Sequence, residues 1–300
     1  MILYCKSKKY MRNAGKRLFF LAIVICVLII LYFLAQKLPI LFAAKKEQAL
    51  TLKKEAITSL VFVEESKRTT VGKLEGKWMV DSFPADEVRI DGIISTVVSL
   101  KKDEYASSNS SKYAIFEVDG KRKIEIGGKT LYIGKQYAFG RSYFRVDKDP
   151  NVYVSQEDLS NIFSPADFRD LNVHFITKEE NVSMVKREEG KKVLVLTKKN
   201  NEWHIGDKKA KNDRVDFFIN DMATLKGEDI VDQNTVNLAQ FPLAFTFTVK
   251  EKTEKEASIY KKDKDTYYWK GVGEFIYILP VVSVSTLQKE AVDLLGEDVQ

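Results

Sequence analysis

Cysteine and histidine are nearly absent from this 300-residue chain, which has two of each: Cys5, Cys26, His174 and His204. Both cysteines lie in the first 26 residues. Everything downstream must therefore be held by an apolar core rather than by a disulfide framework. H-E-x-x-H, C-x-x-C and G-x-S-x-G do not occur, so zinc hydrolases and serine hydrolases lack their usual signatures. A surplus of one charge is also missing from most of the chain. The net charge is +6, and Lys6, Lys8, Lys9, Arg12, Lys16 and Arg17 account for all of it. Lysine, glutamate and aspartate interleave evenly thereafter, the pattern of a solvated surface and not of one that tracks phosphates. Nucleic acid is not an expected partner.

Long apolar runs are scarce too, with one exception. Leu18–Ala35 (LFFLAIVICVLIILYFLA) is apolar over 18 residues and follows the six cations. At 1.5 Å per residue a helix of that length spans about 27 Å, close to the ~30 Å hydrocarbon core of a bilayer. The cations place the N-terminus on the cytoplasmic side and the C-terminal region outside it. The run exceeds the 7–15 apolar residues of a cleaved signal, and Ala43-Ala44 lacks the upstream small residue of an A-x-A site. Cys26 sits mid-run without the small residues of a lipoprotein signal. The sequence thus predicts a single-pass protein of the cell (inner) membrane, partnered by the lipid bilayer through its N-terminal helix.

What is abundant is β-rich sequence, and it is duplicated. Trp78–Lys101 aligns without a gap on Trp203–Lys226 at an offset of 125, matching Trp78 with Trp203, Arg89 with Arg214, Asp91 with Asp216, Ile94 with Ile219 and Leu100 with Leu225. Tyr143 aligns with Tyr267 and Tyr153 with Tyr277 at an offset of 124. Such internal repeats fix architecture before any other signal. In each copy, apolar residues at helical spacing (Ile90, Ile93, Ile94, Val97; Val215, Phe218, Ile219, Met222) predict an amphipathic helix. Pro84-Ala85-Asp86 and Asn212 supply N-terminal boundaries. Short runs rich in Val, Ile, Thr and aromatics predict antiparallel strands around them, YAIFEV at Tyr113–Val118 included. A last helix is expected over Ser283–Leu295. The expected class is α+β: an N-terminal transmembrane helix followed by two tandem repeats, each of antiparallel strands packed with an amphipathic helix. The expected divisions are a basic leader 1–17, a span 18–36, a juxtamembrane linker 37–55, and repeats 56–171 and 172–297.

Candidate sites are few and each has a structural reading that fits better. Gly128-Lys129-Thr130 resembles the end of a phosphate loop, but Lys123 stands where its first glycine belongs and a strand follows. Gly271-x-Gly273 is a hairpin turn. Asp147, Asp149 and Asn151, with Asp158 beyond, have calcium-loop spacing but lack the glycine, since Val152 occupies that place. Asp and Asn beside Pro150 are primarily turn formers. His204 follows Trp203 in a strand, and His174 lies near the repeat junction. Trp78 and Trp203 are expected to anchor helix to sheet. Arg89 and Asp91, like Arg214 and Asp216, are too close in sequence to face each other on a helix, so their partners lie elsewhere. No catalytic, cofactor-binding or metal-binding residue is assigned, no cofactor is expected, and the chain is not read as an enzyme.

The order of these features resembles a known family. The Ile57-Thr58-Ser59-Leu60 strand start, Lys77-Trp78, the Pro84-Ala85-Asp86 helix start, Leu131-Tyr132-Ile133-Gly134, Tyr143, Val152–Val154 and the Arg169-Asp170 exit are similar to the bacterial domain-of-unknown-function family numbered 4340. The resemblance runs over roughly Ile57–Leu295. Leu238, Phe241 and Pro242 are clear in the second repeat, whereas the first has Tyr113 and Phe116 without the proline. The resemblance implies a single-span bacterial envelope protein, in some members tied to auxiliary components of gliding-motility ABC transport, and no catalytic residue to carry over. The expectation is a membrane-anchored extracytoplasmic accessory or interaction protein with a membrane or envelope protein partner. Its rivals are a polysaccharide-binding module using Tyr137, Phe139, Tyr267, Tyr268 and Trp269, and a membrane-anchored hydrolase.

Overall fold

A computed structural model describes residues 25, 27–29, 32 and 47–296. The first half runs β1 (Ser59–Glu64), β2 (Lys67–Leu74), β3 (Lys77–Val80), β4 (Phe83–Pro84), α1 (Glu87–Ser99), β5 (Glu104–Ser107), α2 (Tyr113–Phe116), β6 (Arg122–Ile126), β7 (Lys129–Gln136), β8 (Ser142–Val146) and β9 (Val152–Val154). The second runs β10 (Met184–Glu189), β11 (Lys192–Lys199), β12 (Glu202–Ile205), β13 (Lys208–Lys209), α3 (Asn212–Ala223), β14 (Asp229–Asp232), β15 (Leu243–Lys250), β16 (Glu254–Lys261), β17 (Thr266–Lys270), β18 (Phe275–Pro280), α4 (Val281–Leu287) and α5 (Ala291–Leu295). Each half forms a nine-stranded sheet, in the orders β4-β3-β2-β1-β6-β7-β8-β9-β5 and β13-β12-β11-β10-β15-β16-β17-β18-β14. The two orders are the same order shifted by nine strands.

The duplication is visible at the level of single bonds. Ala85 and Ala210 donate their amides to the carbonyls of Trp78 and Trp203 at 2.9 and 2.8 Å. Asp86 and Lys211 donate theirs to Phe168 and Leu294, both at 2.9 Å. Each repeat is entered alike: the amide of Ala49 reaches the carbonyl of Leu100 at 2.7 Å, as that of Val173 reaches Leu225 at 2.9 Å. Residues 47–56 thus take the places of their counterparts near 172–181.

The α+β expectation is corrected: the described residues are dominated by two antiparallel sheets, with one helix of 13 or 12 residues per repeat as the main helical element. Two strand readings and one helix reading account for the difference. The edge strands β5 (EYAS) and β14 (DIVD) are short and polar, so they carry no alternating pattern to read. YAIFEV is no strand; it turns into α2 and ends where Glu117 takes a left-handed φ of 60°. The expected C-terminal helix divides into α4 and α5. No helix among the described residues is long and apolar enough to cross a membrane, so the expected class is corrected to what they show, two antiparallel sheets with no spanning helix among them. Of the predicted span 18–36, residues 25, 27–29 and 32 are helical. The rest of it, and the leader 1–17, lie outside the described residues.

By packing, the chain divides into two compact units. Of the described residues from 47 on, the first holds 47–53 with Thr96–Lys123 and Lys129–Ser160; the second holds Lys54–Ser95, Ile124–Gly128 and 161–296. In the second unit the core is built by alternation. β15 buries Phe245, Phe247 and Val249 on one face, and α3 lays Val215, Phe218, Ile219 and Met222 into the same cluster with Trp203 and Trp269. Phe218 meets Phe247 at 6.2 Å between ring centres. A fully buried side chain of this size contributes about 1.5–3 kcal/mol from area alone, so this seam dominates the unit.

Candidate functional site

The paired tryptophans are core, as expected from their matching places ahead of the two helices. Trp78 and Trp203 are 4% and 1% exposed. Glu87 Oε1 accepts the Trp78 amide at 3.5 Å and Asn212 Oδ1 accepts that of Trp203 at 3.1 Å, so the first residue of each helix fixes the strand before it. Lys73 and Lys198, again 125 apart, lie over the two indoles at 4.9 and 5.4 Å.

The paired arginines find partners that no short-range pattern could name. Arg89 Nη1 donates to the Asp167 carbonyl at 2.6 Å, and Nη2 to the carbonyls of Pro165 at 2.5 Å and Ile162 at 3.4 Å. Its guanidinium lies 4.3 Å over the Phe168 ring, which stacks on Phe62 at 4.1 Å. Burial lowers the Arg89 pKa, opposed by Asp86 and Asp167. Arg214 holds the equivalent exit segment through one bond, to the Asp293 carbonyl at 2.7 Å. In place of Phe62, the second repeat has the buried Arg187, which donates to the carbonyls of Leu287 at 3.3 Å and Lys289 at 2.7 Å.

The calcium-spaced residues are dispersed among other duties. Asp147 accepts the Thr130 amide at 2.6 Å. Asp149 accepts the Asn151 amide at 2.9 Å and faces Lys102 at 3.1 Å and the Tyr153 hydroxyl at 3.1 Å. Burial pushes the Asp149 carboxyl upward, but these donors outweigh it and hold the pKa low. Asp158 accepts from Ser160, Ser142 and Gln136, and the Ser160 hydroxyl leads in lowering its pKa. No group of three His, Cys, Asp or Glu among the described residues is arranged to hold a metal. His174, at φ 50°, meets Asp170 at 2.7 Å. His204 sits opposite Thr197 and Lys209 in the sheet.

Of the five aromatics considered for a glycan platform, Trp269 and Tyr268 are 1% and 8% exposed and belong to the core. Phe241 packs on Tyr268 at 4.9 Å as Phe116 packs on Tyr143 at 4.8 Å. The counterpart of Tyr143 is therefore Tyr268, at an offset of 125, and the 124 alignment with Tyr267 is corrected. Tyr137 and Phe139 remain exposed in the β7–β8 loop.

One concave surface of useful size lies within the second unit. It encloses about 520 Å³ and is lined by Arg214, Phe217, Phe218, Asp221, Lys289 and Asp293, among others. Its rim carries Phe217, which is 71% exposed although it sits in the middle of α3. Sequence reading missed this groove because it forms only when the C-terminal segment docks on α3. The one available signal is Gly92, which stands where Phe217 stands in the second repeat.

Comparison with known proteins adds one finding. The model of the domain of unknown function DUF4340 matches residues 78–213. This bears out the family resemblance over a shorter stretch than the order of features suggests. No curated protein and no solved structure matches.

Proposed function

We propose, from the match of residues 78–213 to the DUF4340 family, that the chain is a member of that family and an accessory protein of a bacterial envelope assembly that binds a protein partner through the groove beside Phe217. The observation that carries the reading is a large aromatic exposed on the duplicated helix α3, next to a concavity within the 300–1,000 Å³ range of binding clefts. Large exposed apolar residues beside a mixed-charge rim are the composition of protein contact surfaces. The polar residues that the sequence offered for chemistry are spent on the fold, which favours binding over catalysis.

Attachment to the cell membrane, N-terminus inside, is part of the same proposal. It is supported by the sequence alone, through the 18-residue apolar run and the six cations before it. Single cysteines placed beyond residue 47 should react with an impermeant maleimide on spheroplasts; protection there would contradict this orientation.

Partner binding is tested by a photo-crosslinking amino acid at position 217 in native membranes, with the adducts identified by mass spectrometry. A transporter subunit or other envelope protein is expected, with the adduct lost when Ser285→Arg fills the groove, which Ser285 also lines from α4. Retention of glycan without any protein adduct would instead favour a polysaccharide-binding module.

A further inference from the structure

The exposed β7–β8 loop has an internal control, because the second repeat builds the same loop from other residues. The Tyr137 amide closes on the Arg141 carbonyl at 2.7 Å, and 125 residues on, the Lys262 amide closes on the Thr266 carbonyl at 3.1 Å. Between these closures the second repeat has Asp263-Lys264-Asp265, where the Asp263 carboxylate accepts the Asp265 and Thr266 amides, both at 2.8 Å. The first has Ala138-Phe139-Gly140, with Phe139 fully exposed and held at φ 48°, a conformation glycine adopts far more readily. The fold therefore closes this loop without an aromatic residue, and the ring at the tip of the first copy needs another explanation.

The base of the loop is braced and only its tip is free. Arg141 donates to the Ser155 carbonyl at 3.0 Å and pairs with Glu104 at 2.7 Å, and its guanidinium lies 5.4 Å over Tyr137. Tyr137 packs on Tyr143 at 5.3 Å. The chain arriving from the apolar run enters the same end of this unit. Gln48 bridges to Lys101, and Lys101 precedes by three residues the Glu104 that holds Arg141. Twelve residues separate Ala35 from Gln48, so at about 3.5 Å each the run ends within roughly 45 Å of that entry point. A Phe at the tip, a Tyr behind it and the exposed Lys135 beside them are the residue types that settle at a membrane–water interface.

We propose that the Tyr137–Arg141 loop is a lipid-contact device, with Phe139 entering the interfacial layer of the bilayer to which the chain is tethered. The inference rests on the membrane-attachment part of the proposed function and is independent of the groove beside Phe217. Its test uses the full chain with Cys5→Ser and Cys26→Ser, carrying Phe139→Cys or Lys264→Cys labelled with the fluorophore NBD, in phosphatidylethanolamine–phosphatidylglycerol vesicles that contain a shallow spin-labelled lipid. Unchanged thermal melting of both labelled chains checks the fold. The label at position 139 should be quenched at least about twofold more than that at 264, since only interfacial groups meet the spin label. Vesicle-bound chains with equal quenching at the two positions would overturn the loop proposal and leave attachment standing. Chains that fail to float with vesicles would overturn attachment and the loop proposal together. A photo-crosslinker at 139 that yields protein adducts in native membranes, and no lipid adducts, would also overturn it.

Discussion

Arg89 and Arg214 occupy one position in a duplicated plan yet carry unequal loads. Arg89 serves three backbone carbonyls and an aromatic face, Arg214 a single carbonyl. Hydrogen bonds from a charged donor are worth about 1.5–3 kcal/mol each, and carbonyls stranded by its loss add to the cost. Arg89→Ala should therefore lower unfolding free energy by about 2–4 kcal/mol, and Arg214→Ala by about 1 kcal/mol or less, in urea titrations. Arg89→Lys should recover little, because one ammonium cannot span three carbonyls as the planar fork does. Equal losses at the two positions would refute this division of load. Tyr277 gives a pH test at the same scale. Burial, with Asp170 adding to it, raises its pKa from 10.0 to about 12. The protonated phenol is favoured in the fold, so the unfolded chain releases its proton first as pH rises. Stability present below pH 10 should thus drain away toward about pH 12, and Tyr277→Phe should remove that part of the slope in alkaline melts.

Among the elements, the contact of α2 with β7 is the tightest tolerance in the first unit. A Cβ on Gly134 would come within 2.2 Å of the Phe116 carbonyl oxygen, 2.9 Å of Val118 Cγ1 and 3.0 Å of Tyr143 Cβ. Gly134→Ala must displace backbone, and overpacking of that kind costs about 1–3 kcal/mol. Gly72→Ala, in β2, meets nothing closer than the Thr58 carbonyl at 4.0 Å, so its effect should stay within about 0.5 kcal/mol. Calorimetric melting of the two variants checks the contrast.

This same element marks where sequence reading stopped. The helix faces were legible, since Ile90, Ile93, Ile94 and Val97 recur as Val215, Phe218, Ile219 and Met222 at helical spacing, and all eight are buried. Asp86 was legible as a cap, and its carboxylate accepts the Arg89 amide at 3.0 Å. Tyr113–Phe116 was not, because apolar residues with β propensity look alike whether they enter a sheet or cover one. The Arg89 carbonyls lie 73 to 78 residues away, beyond any local period. The groove beside Phe217 needs α5 to dock, which no spacing within α3 announces.

At the scale of the molecule, two copies of one sheet plan raise the question of how independently each unfolds. Within the second unit, residues of the first repeat meet those of the second through few side chains. Phe83 packs on Phe275 at 5.6 Å, while Arg169 pairs with Asp229 at 2.8 Å and donates to the Ile230 carbonyl at 3.2 Å. Arg169 also pairs with Asp167 at 2.7 Å, and that bond leads in raising its pKa. Each repeat otherwise has its own nine-stranded sheet, tryptophan and helix. In repeat architectures cooperativity is set by the interface term between neighbours. Beyond the aromatic pair and Arg169, the interface has the Asp170 contacts with His174 and Tyr277 and one backbone bond, from the Gly227 amide to the Leu171 carbonyl at 2.8 Å. It is small beside the core of the second repeat, so weakening it should uncouple the halves without unfolding either. Arg169→Ala combined with Phe275→Ala is therefore expected to separate two unfolding midpoints, followed by hydrogen exchange in urea on peptides containing Trp78 and Trp203. In the unsubstituted chain those peptides should lose protection together. If the double variant shifts both peptides to a lower urea concentration in step, the repeats do not stand alone, and the duplicated sheets form a single cooperative unit.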